Sequence, residues 1–292
     1  MGLQPLGRRA FLKGSTLLLA ATGRSISGSA RQSARFGLFT DVHHADKPES
    51  GTRYYRESLS KLREGATEFG KRKVDFLVTL GDLVDAAPTR EQERAWLGQA
   101  VQLLRGAGLP AWFVLGNHCV QTLTKAEFLA GAGQRQSYFS FDTGGVHFIV
   151  LDACYRKDGV AYDAGNFDWK DTDIPPDERE WLAGDLAKTN RPAIVFVHQR
   201  LDDAGVHGVA SAAGVRRVLE QAGTVKAVFQ GHSHQNDYRE INGIHYCTMR
   251  AVVEGSGATN SGYAEITVFE DGGVRVEGFR AQRHYAWTRR SN

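Results

Sequence analysis

The stretch Val74-Asp75-Phe76-Leu77-Val78-Thr79-Leu80-Gly81-Asp82 is an apolar run that ends abruptly in a glycine and an acid. Its length and its apolar character predict a buried strand. Four further apolar runs end in the same manner, directly before Asp, Asn or His residues: Arg35–Thr40, Ala111–Leu115, Ala193–Val197 and Ala227–Gln230. Helix-length stretches separate these runs, so strands and helices alternate along the chain. This alternation predicts an α/β fold.

The remaining elements follow from local patterns. Apolar residues at helical spacing predict helices over Tyr54–Gly70, Thr89–Arg105, Asp177–Lys188 and Gly214–Ala222. Two apolar runs, Tyr138–Phe141 and Val146–Leu151, flank Gly144-Gly145 and predict a hairpin. Turn signals at Asn242-Gly243 and Asp271-Gly272-Gly273 predict that the C-terminal segment is all-β.

Composition and charge exclude several classes of protein. The 292 residues are 41% hydrophobic and carry 36 Lys and Arg against 33 Asp and Glu, a typical globular composition. Residues 1–30 hold four of the cations and no acid, so the rest of the chain has a net charge of −1. This charge does not favour a nucleic-acid surface or a polybasic membrane anchor. Three widely separated cysteines (Cys119, Cys154 and Cys247) favour neither a disulfide framework nor a CxxC zinc site.

The first thirty residues are predicted to be a signal peptide. Gly7-Arg8-Arg9-Ala10-Phe11-Leu12-Lys13 resembles a twin-arginine export signal. The apolar run Ser15–Thr22 is far shorter than the roughly 18–20 residues that span a bilayer, and small residues follow at 28–30. We therefore expect the twin-arginine export machinery as a partner, a periplasmic or secreted location, and no membrane span in the mature chain. Residues 31–292 are predicted to form a single domain.

The polar residues at the five strand ends are the candidate functional site. They are Asp41, His43, Asp82, Asn117, His118, His198, His232 and His234. Because the carboxyl ends of strands joined by helical crossovers gather at one edge of a sheet, we expect these side chains in one cleft. Each short motif alone is also common in turns. Together they supply two carboxylates, one amide, five imidazoles and no thiol, which fits Mn, Fe, Co or Zn better than copper or an iron–sulfur cluster.

The order Asp-x-His, Gly-Asp, Gly-Asn-His, His, Gly-His-x-His resembles that of the calcineurin-like metallophosphoesterases, over roughly residues 36–280. The resemblance implies a four-layer αββα sandwich that carries two divalent metal ions. It places the first ion on Asp41, His43, Asp82 and His234. It places the second ion on Asp82, Asn117, His198 and His232, with Asp82 bridging. In this resemblance His118 stays free of metal and lies over the substrate.

Phosphoester chemistry accounts for these residue types. Two cations about 3.5–4 Å apart clamp the phosphoryl oxygens and make a bridging hydroxide available, which attacks phosphorus opposite the leaving oxygen. Asp82 is a carboxylate and can reach both ions, whereas an imidazole cannot. His118 would donate a proton or a hydrogen bond to the leaving oxygen, an effect of about 10²–10⁴-fold. The metals would be Mn²⁺, Fe²⁺/Fe³⁺ or Zn²⁺.

A narrower resemblance concerns the substrate, a small phosphorylated molecule. Ala45-Asp46-Lys47 and Thr52-Arg53-Tyr54-Tyr55-Arg56-Glu57-Ser58-Leu59 look like the corresponding segment of manganese-dependent ADP-ribose/CDP-alcohol diphosphatases, although that subgroup has Gln in place of His43. It implies cleavage of a phosphoanhydride in a nucleoside diphosphate compound. Asn117 is one candidate substrate residue. Arg53 or Arg56 could pair with a second phosphate, and Tyr54 or Tyr55 could stack on a ring. Alternatively, the two tyrosines only pack at the start of a helix.

The sequence is also compatible with other functions. A phosphomonoesterase or phosphodiesterase that scavenges phosphate outside the inner membrane would use the same residues. A metal-free scaffold on this fold is disfavoured because all eight positions of the motif are filled. The Asp-rich stretch 158–173 contains Tyr162, Phe167 and Trp169; we expect a solvated loop there, the alternative being a wall of the cleft.

Overall fold

The structure, a computed structural model, describes residues 31–288. The strands in this range are β1 (Gln32–Phe39), β2 (Phe76–Thr79), β3 (Ala111–Phe113), β4 (Phe139–Thr143), β5 (Val146–Val150), β6 (Ala193–Phe196), β7 (Val225–Gln230), β8 (Asp237–Ile241), β9 (Ile244–Thr248), β10 (Gly262–Phe269), β11 (Val274–Arg280) and β12 (Tyr285–Trp287). The helices are α1 (Ser58–Arg72), α2 (Arg90–Arg105), α3 (Lys125–Ala132), α4 (Pro176–Leu186) and α5 (Ala212–Ala222).

The strands form two mixed six-stranded sheets. The first sheet has the order β12-β11-β10-β1-β2-β3, in which β1, β2 and β3 run parallel and β10 is antiparallel to β1. The second sheet has the order β4-β5-β6-β7-β9-β8, in which β5, β6, β7 and β9 run parallel. In each sheet the parallel strands therefore end at the same edge, as helical crossovers require.

The two sheets pack face to face, with helices on both outer faces. Aromatic side chains fill the space between the sheets: Phe36 of β1 stacks on Phe76 of β2 at 5.0 Å and meets Phe148 and Phe196 of the other sheet edge-on. A second hydrophobic cluster joins α1, α2 and α3 to the first sheet, and a third joins α4 and α5 to the second. The predicted four-layer αββα sandwich is confirmed.

Most sequence-predicted elements lie within a few residues of the observed ones, but α3 was missed. This helix has eight residues, too few for a clear apolar period. Its start nevertheless has a sequence signal, because Thr124 and Glu127 form a capping box in which each side chain accepts from the backbone N–H of the other.

The predicted signal peptide lies outside the described residues. Within residues 31–288, no helix is long and apolar enough to cross a membrane. The three cysteines are all buried, and none of them is in a disulfide.

Candidate metal centre

The polar residues at the five strand ends come together where the two sheets meet. Asp82 follows β2 and its Oδ2 lies 3.1 Å from Nε2 of His198, which follows β6 of the other sheet. Asp41 follows β1, and its Oδ1 lies 3.3 Å from Nε2 of His234, beyond β7. The centre is therefore built from both sheets rather than from the edge of one, and the packing of the sandwich holds it together.

Two groups of side chains have the spacing of metal ligands. The first group is Asp41, His43 and His234, and the second is Asp82, His198 and His232; in each group the potential ligand atoms lie within 4.8 Å of one another. Asp82 Oδ2 lies between the groups, 3.1 Å from His198 Nε2 and 3.6 Å from His43 Nε2. Two groups that share a central carboxylate fit two divalent cations.

Buried polar atoms without partners support this assignment. Asp41 Oδ1, Asn117 Oδ1 and His232 Nε2 are buried, and none has a hydrogen-bond partner among the described residues. Each such atom costs about 1–3 kcal/mol when it is left unpaired. The Nε2 atoms of His43 and His234 also face each other at 3.2 Å. Cations among these oxygen and nitrogen donors would remove these costs.

The other ring nitrogen of three histidines is held by an acceptor. His43 Nδ1 lies 2.9 Å from Asp85 Oδ2, and His234 Nδ1 lies 2.7 Å from Glu254 Oε1. His198 Nδ1 donates to the carbonyl oxygen of Leu80 at 2.7 Å. An Nδ1–H that donates in this way leaves the Nε2 lone pair directed at the centre, the usual arrangement of histidine metal ligands.

The backbone is strained at the same residues. Asp41, His43, Asp82, His232 and His234 all adopt φ between 46° and 69°, the left-handed region that side chains other than glycine rarely occupy. Strain of about 1–3 kcal/mol at each residue persists only where the surrounding structure imposes it. The strand-end turns therefore aim these side chains at the centre.

Two glycines allow the close approaches that the centre needs. A Cβ atom at Gly116 would lie 2.2 Å from Asp82 Oδ1, and one at Gly231 would lie 2.6 Å from Asp41 Oδ2. The space at Gly116 lets the backbone N–H of His118 donate to Asp82 Oδ1 at 2.8 Å, which leaves Oδ2 facing the histidines. The glycines of the Gly-Asn-His and Gly-His-Ser-His motifs are thus required by contact distance.

Neighbouring charges together outweigh burial in setting the pKa values of Asp82 and His198. Burial alone would raise the pKa of Asp82, but the neighbouring His198 and His118 hold it well below its usual range. Conversely, burial would lower the pKa of His198, but Asp82 and Asp41 raise it to about 9. Burial and the positive charge of His198 together lower the pKa of His232 to about 3, so this imidazole is neutral and ready to bind a metal.

His118 differs from the other histidines in exposure. Its side chain is 21% exposed, whereas those of His43 and His198 are fully buried. Its Nδ1 lies 3.4 Å from Asp85 Oδ1, at ion-pair distance. Burial would lower the pKa of His118, but Asp82 and Asp85 raise it overall, which favours a protonated ring. His118 also belongs to a third group of closely spaced donors, with His43 and Asp82.

The candidate substrate residues of the segment 52–59 lie in three different surroundings. Arg53 lies at the rim of the centre, with Nη1 3.9 Å from Asp85 Oδ2 and its backbone paired with Glu254. Tyr55, in contrast, is buried in the hydrophobic core, so its ring cannot stack on a substrate. Arg56 pairs with Asp46 at the surface instead. The burial of Tyr55 agrees with the alternative that this tyrosine only packs at the start of the helix. Substrate binding by Arg53 or Arg56 stays a prediction, and of the two it is Arg53 that lies beside Asp85.

Sequence reasoning missed Asp85, Glu254 and Lys47. Lys47 Nζ lies 2.6 Å from Asp85 Oδ1 and 4.4 Å from the centroid of the Tyr55 ring. Asp85 had a signal, because it directly follows the apolar pair Leu83-Val84, and a carboxylate beside buried apolar residues is expected to be paired. Glu254 had none, since only the folded chain brings it to His234.

Most of residues 158–173 are exposed, as expected for a solvated loop, but Tyr162 is not. Tyr162 is fully buried and stacks on Phe167, with ring centroids 4.7 Å apart. Trp169 lies against the candidate metal ligand His232, with ring centroids 5.7 Å apart. The loop therefore reaches the metal centre.

Comparison with known proteins agrees with this geometry. The sequence model of the family described as calcineurin-like phosphoesterase matches residues 34–236. Among individual proteins, the manganese-dependent ADP-ribose/CDP-alcohol diphosphatase of Arabidopsis thaliana is 23% identical over 79% of this chain and 90% of its own. The serine/threonine-protein phosphatase CPPED1 of Bos taurus is 31% identical over 71% of this chain and 70% of its own.

Solved structures show the same fold. The crystal structure of a dimetal phosphatase from Danio rerio superimposes with a TM-score of 0.76 and 18% identity, over 88% of this chain and 99% of that chain. A purple acid phosphatase from Lupinus luteus seeds superimposes with a TM-score of 0.59 and 15% identity, over 87% of this chain and 52% of that chain.

Proposed function

The chain belongs to the calcineurin-like phosphoesterase family and is a metal-dependent phosphoester hydrolase; from this premise we propose that it cleaves the phosphoanhydride of nucleoside diphosphate compounds. The observation that carries the proposal is the pair of cations, Lys47 and Arg53, beside His118. Both flank the single carboxylate of Asp85, so positive charge remains for a second phosphate group. The similarity to the Arabidopsis diphosphatase supports the same substrate class.

The residues of the centre have different roles in hydrolysis. Asp41, His43 and His234 would hold one cation, and Asp82, Asn117, His198 and His232 the other. Two bound cations would supply Lewis-acid stabilisation of phosphoryl charge and acidify a water molecule. The strained backbone and buried Nδ1–H bonds fix these donors before substrate arrives, so little reorganisation is needed during the reaction.

We assign His118 as the acid that protonates the leaving oxygen. Its pKa is raised by Asp82 and Asp85, its ring is accessible, and its backbone N–H is fixed to Asp82. Proton donation of this kind contributes about 10²–10⁴-fold to the rate. Arg53 and Lys47 would hold the phosphate that leaves with the nucleoside or the alcohol.

Product analysis tests the substrate class. The chain from residue 31, loaded with Mn²⁺, would be given ADP-ribose, CDP-choline, a phosphodiester and p-nitrophenyl phosphate. AMP and CMP as main products are the expected result. Removal of the Arg53 side chain (Arg53→Ala) should raise the KM for ADP-ribose by about tenfold or more, the value of one charged hydrogen bond. Arg56→Ala is the matched control, because Arg56 pairs with Asp46 at the surface.

The alternative is a phosphomonoesterase, which the similarity to CPPED1 favours. Orthophosphate from p-nitrophenyl phosphate as the only product, with ADP-ribose untouched, would establish this alternative and reject the diphosphatase. Equal KM values for Arg53→Ala and Arg56→Ala would remove Arg53 from the substrate site.

We propose further that the enzyme is exported by the twin-arginine route and acts outside the inner membrane. The segment Gly7–Lys13 carries this proposal. A folded reporter fused to residues 1–30 should leave the bacterial cytoplasm. The double substitution Arg8→Lys/Arg9→Lys should keep the reporter in the cytoplasm. Export of the double variant at the original rate would reject the assignment.

A further inference from the structure

Three rings meet beside the second group of metal ligands. Trp169 and His207 lie 5.5 Å apart, and their centroids are 5.7 Å and 5.6 Å from that of His232. The planes of Trp169 and His207 differ by 36°, whereas both stand steeply on the His232 ring, at 63° and 77°. Trp169 and His207 thus form a short aromatic wall that rises from a residue of the metal centre.

The Trp169 side of the wall is exposed, and His207 is partly buried. Among residues 31–288, the large apolar side chains with substantial exposure are Val160, Trp169 and Val206. Trp169 belongs to the wall, and Val206 precedes His207 directly. Exposed apolar surface next to a polar centre is typical of a place where a ligand packs.

The backbone holds both parts of the wall in position. The carbonyl oxygens of Asp168 and Asp171, on either side of Trp169, accept from the hydroxyl group of the fully buried Tyr162. The carbonyl oxygen of His207 accepts from the N–H of Arg200, and the adjacent Val209 N–H donates to Arg200 in return. The bonds to Arg200 tie His207 to the segment that follows β6 and contains His198, and the bonds from Tyr162 hold the backbone on either side of Trp169.

We propose that Trp169 and His207 form a ring-binding subsite, which takes the planar base or aryl group carried by the phosphate substrate. The inference rests on the proposed function, since it places the ring beside the hydrolytic centre. A planar ring stacks on an indole face more favourably than an alkyl chain of equal area. Lys170 Nζ lies over the Trp169 ring, 5.2 Å from its centroid, so a cation already rests on this indole and shows that its face is accessible.

Arg53 and the aromatic wall lie beside different groups of metal-ligand side chains. Arg53 and Lys47 lie beside Asp85 and the first group of ligands, whereas Trp169 and His207 lie beside His232 of the second. A substrate with a ring on one side of the scissile phosphate and charge on the other matches this division. An alkyl monophosphate has neither a ring to stack on the wall nor a second phosphate group to pair with Arg53 and Lys47.

The test compares a ring-bearing ester with a ring-free one. For the metal-loaded protein, Trp169→Ala should lower the ratio of kcat/KM for ADP, whose ring is carried by the scissile α-phosphate, to that for ethyl diphosphate by about five- to tenfold. The change should appear in KM rather than in kcat. Trp169→Phe, which retains an aromatic face, should recover most of the ratio. Val160→Ala removes an exposed apolar side chain from the same loop and should leave the ratio unchanged.

Direct binding separates this inference from the proposed function. AMP binding to the metal-loaded protein, measured by calorimetry, should weaken about five- to tenfold in Trp169→Ala even if the protein hydrolyses none of the esters. A wild-type protein that binds AMP but is inactive would reject the proposed function alone. Absence of AMP binding at millimolar concentration, or equal affinity in Trp169→Ala, would overturn the subsite.

Discussion

Removal of the charge on Asp85 should weaken metal binding and lower the pKa of His118, the proposed general acid. Asp85 Oδ2 accepts from His43 Nδ1, and Asp85 Oδ1 lies close to both His118 Nδ1 and Lys47 Nζ. The substitution Asp85→Asn keeps the size and removes the negative charge. One variant therefore perturbs the orientation of a ligand and the pKa of His118 at the same time.

The magnitude follows from the distances. A unit charge 3.4 Å from His118 Nδ1 contributes about 1 kcal/mol at the dielectric constant of water and about 5 kcal/mol at an effective value of 20. The side chain of His118 is 21% exposed, so water screens the pair and the lower figure applies. Loss of the charge lowers the pKa of His118. The alkaline limb of kcat/KM should therefore move about one pH unit toward acid.

Metal affinity should fall as well. A carboxylate that holds the other nitrogen of a histidine ligand is typically worth about 10–100-fold in metal affinity or activity. Mn²⁺ titration by calorimetry and a pH–rate profile with saturating metal measure the two effects separately. Asp46→Asn is the matched control, because Asp46 pairs with Arg56 at the surface. An Asp85→Asn enzyme with an unchanged profile and unchanged affinity would refute the assigned role of Asp85.

Three further outcomes are expected. Asp82→Asn should abolish activity and weaken metal loading, whereas His118→Ala should lose about 10²–10⁴-fold in turnover and retain its metal; atomic absorption and steady-state kinetics distinguish the two. Asp82 and Asp41 raise the pKa of His198 to about 9, so the metal-free protein keeps its proton below that pH and metal binding must release it. Apparent Mn²⁺ affinity should therefore increase from pH 7 to pH 9, with proton uptake by the buffer, and a pH-independent affinity would contradict this. Gly116→Ala should lose metal and activity together, because its Cβ would lie 2.2 Å from Asp82 Oδ1.

Sequence patterns predicted the strands and the ligand set because both depend on local features. A buried strand is an apolar run, and the residue that follows it is read directly from the chain. Asp82 and His198 could be placed in one cleft from topology alone, since parallel strands end at a common edge. The strand pattern alone did not indicate that Asp82 and His198 belong to two different packed sheets; the family resemblance implied the sandwich, and the contacts between the inner faces of the sheets form it.

The residues that support the ligands were harder to predict. Glu254 and the carbonyl oxygen of Leu80 act through tertiary contacts with His234 and His198, and no local pattern encodes such contacts. Trp169 was expected in a solvated loop because charged residues surround it. Its position depends on Tyr162, whose buried hydroxyl group fixes the loop from below. Tyr162 thus determines where this mostly exposed loop lies.

Metal loading and folding should be coupled, because the centre spans both sheets. Asp41, Asp82 and Asn117 belong to the first sheet, whereas the second supplies His198 and the Gly-His-Ser-His segment. Separation of the sheets would dismantle both groups of ligands at once, so a cation binds the folded chain and not the unfolded one. Metal at about 100 times its Kd then stabilises the fold by about 2.7 kcal/mol. The strain at five left-handed residues and the unpaired buried atoms are the costs that this binding offsets. The metal centre therefore helps to stabilise the packed sandwich that creates it.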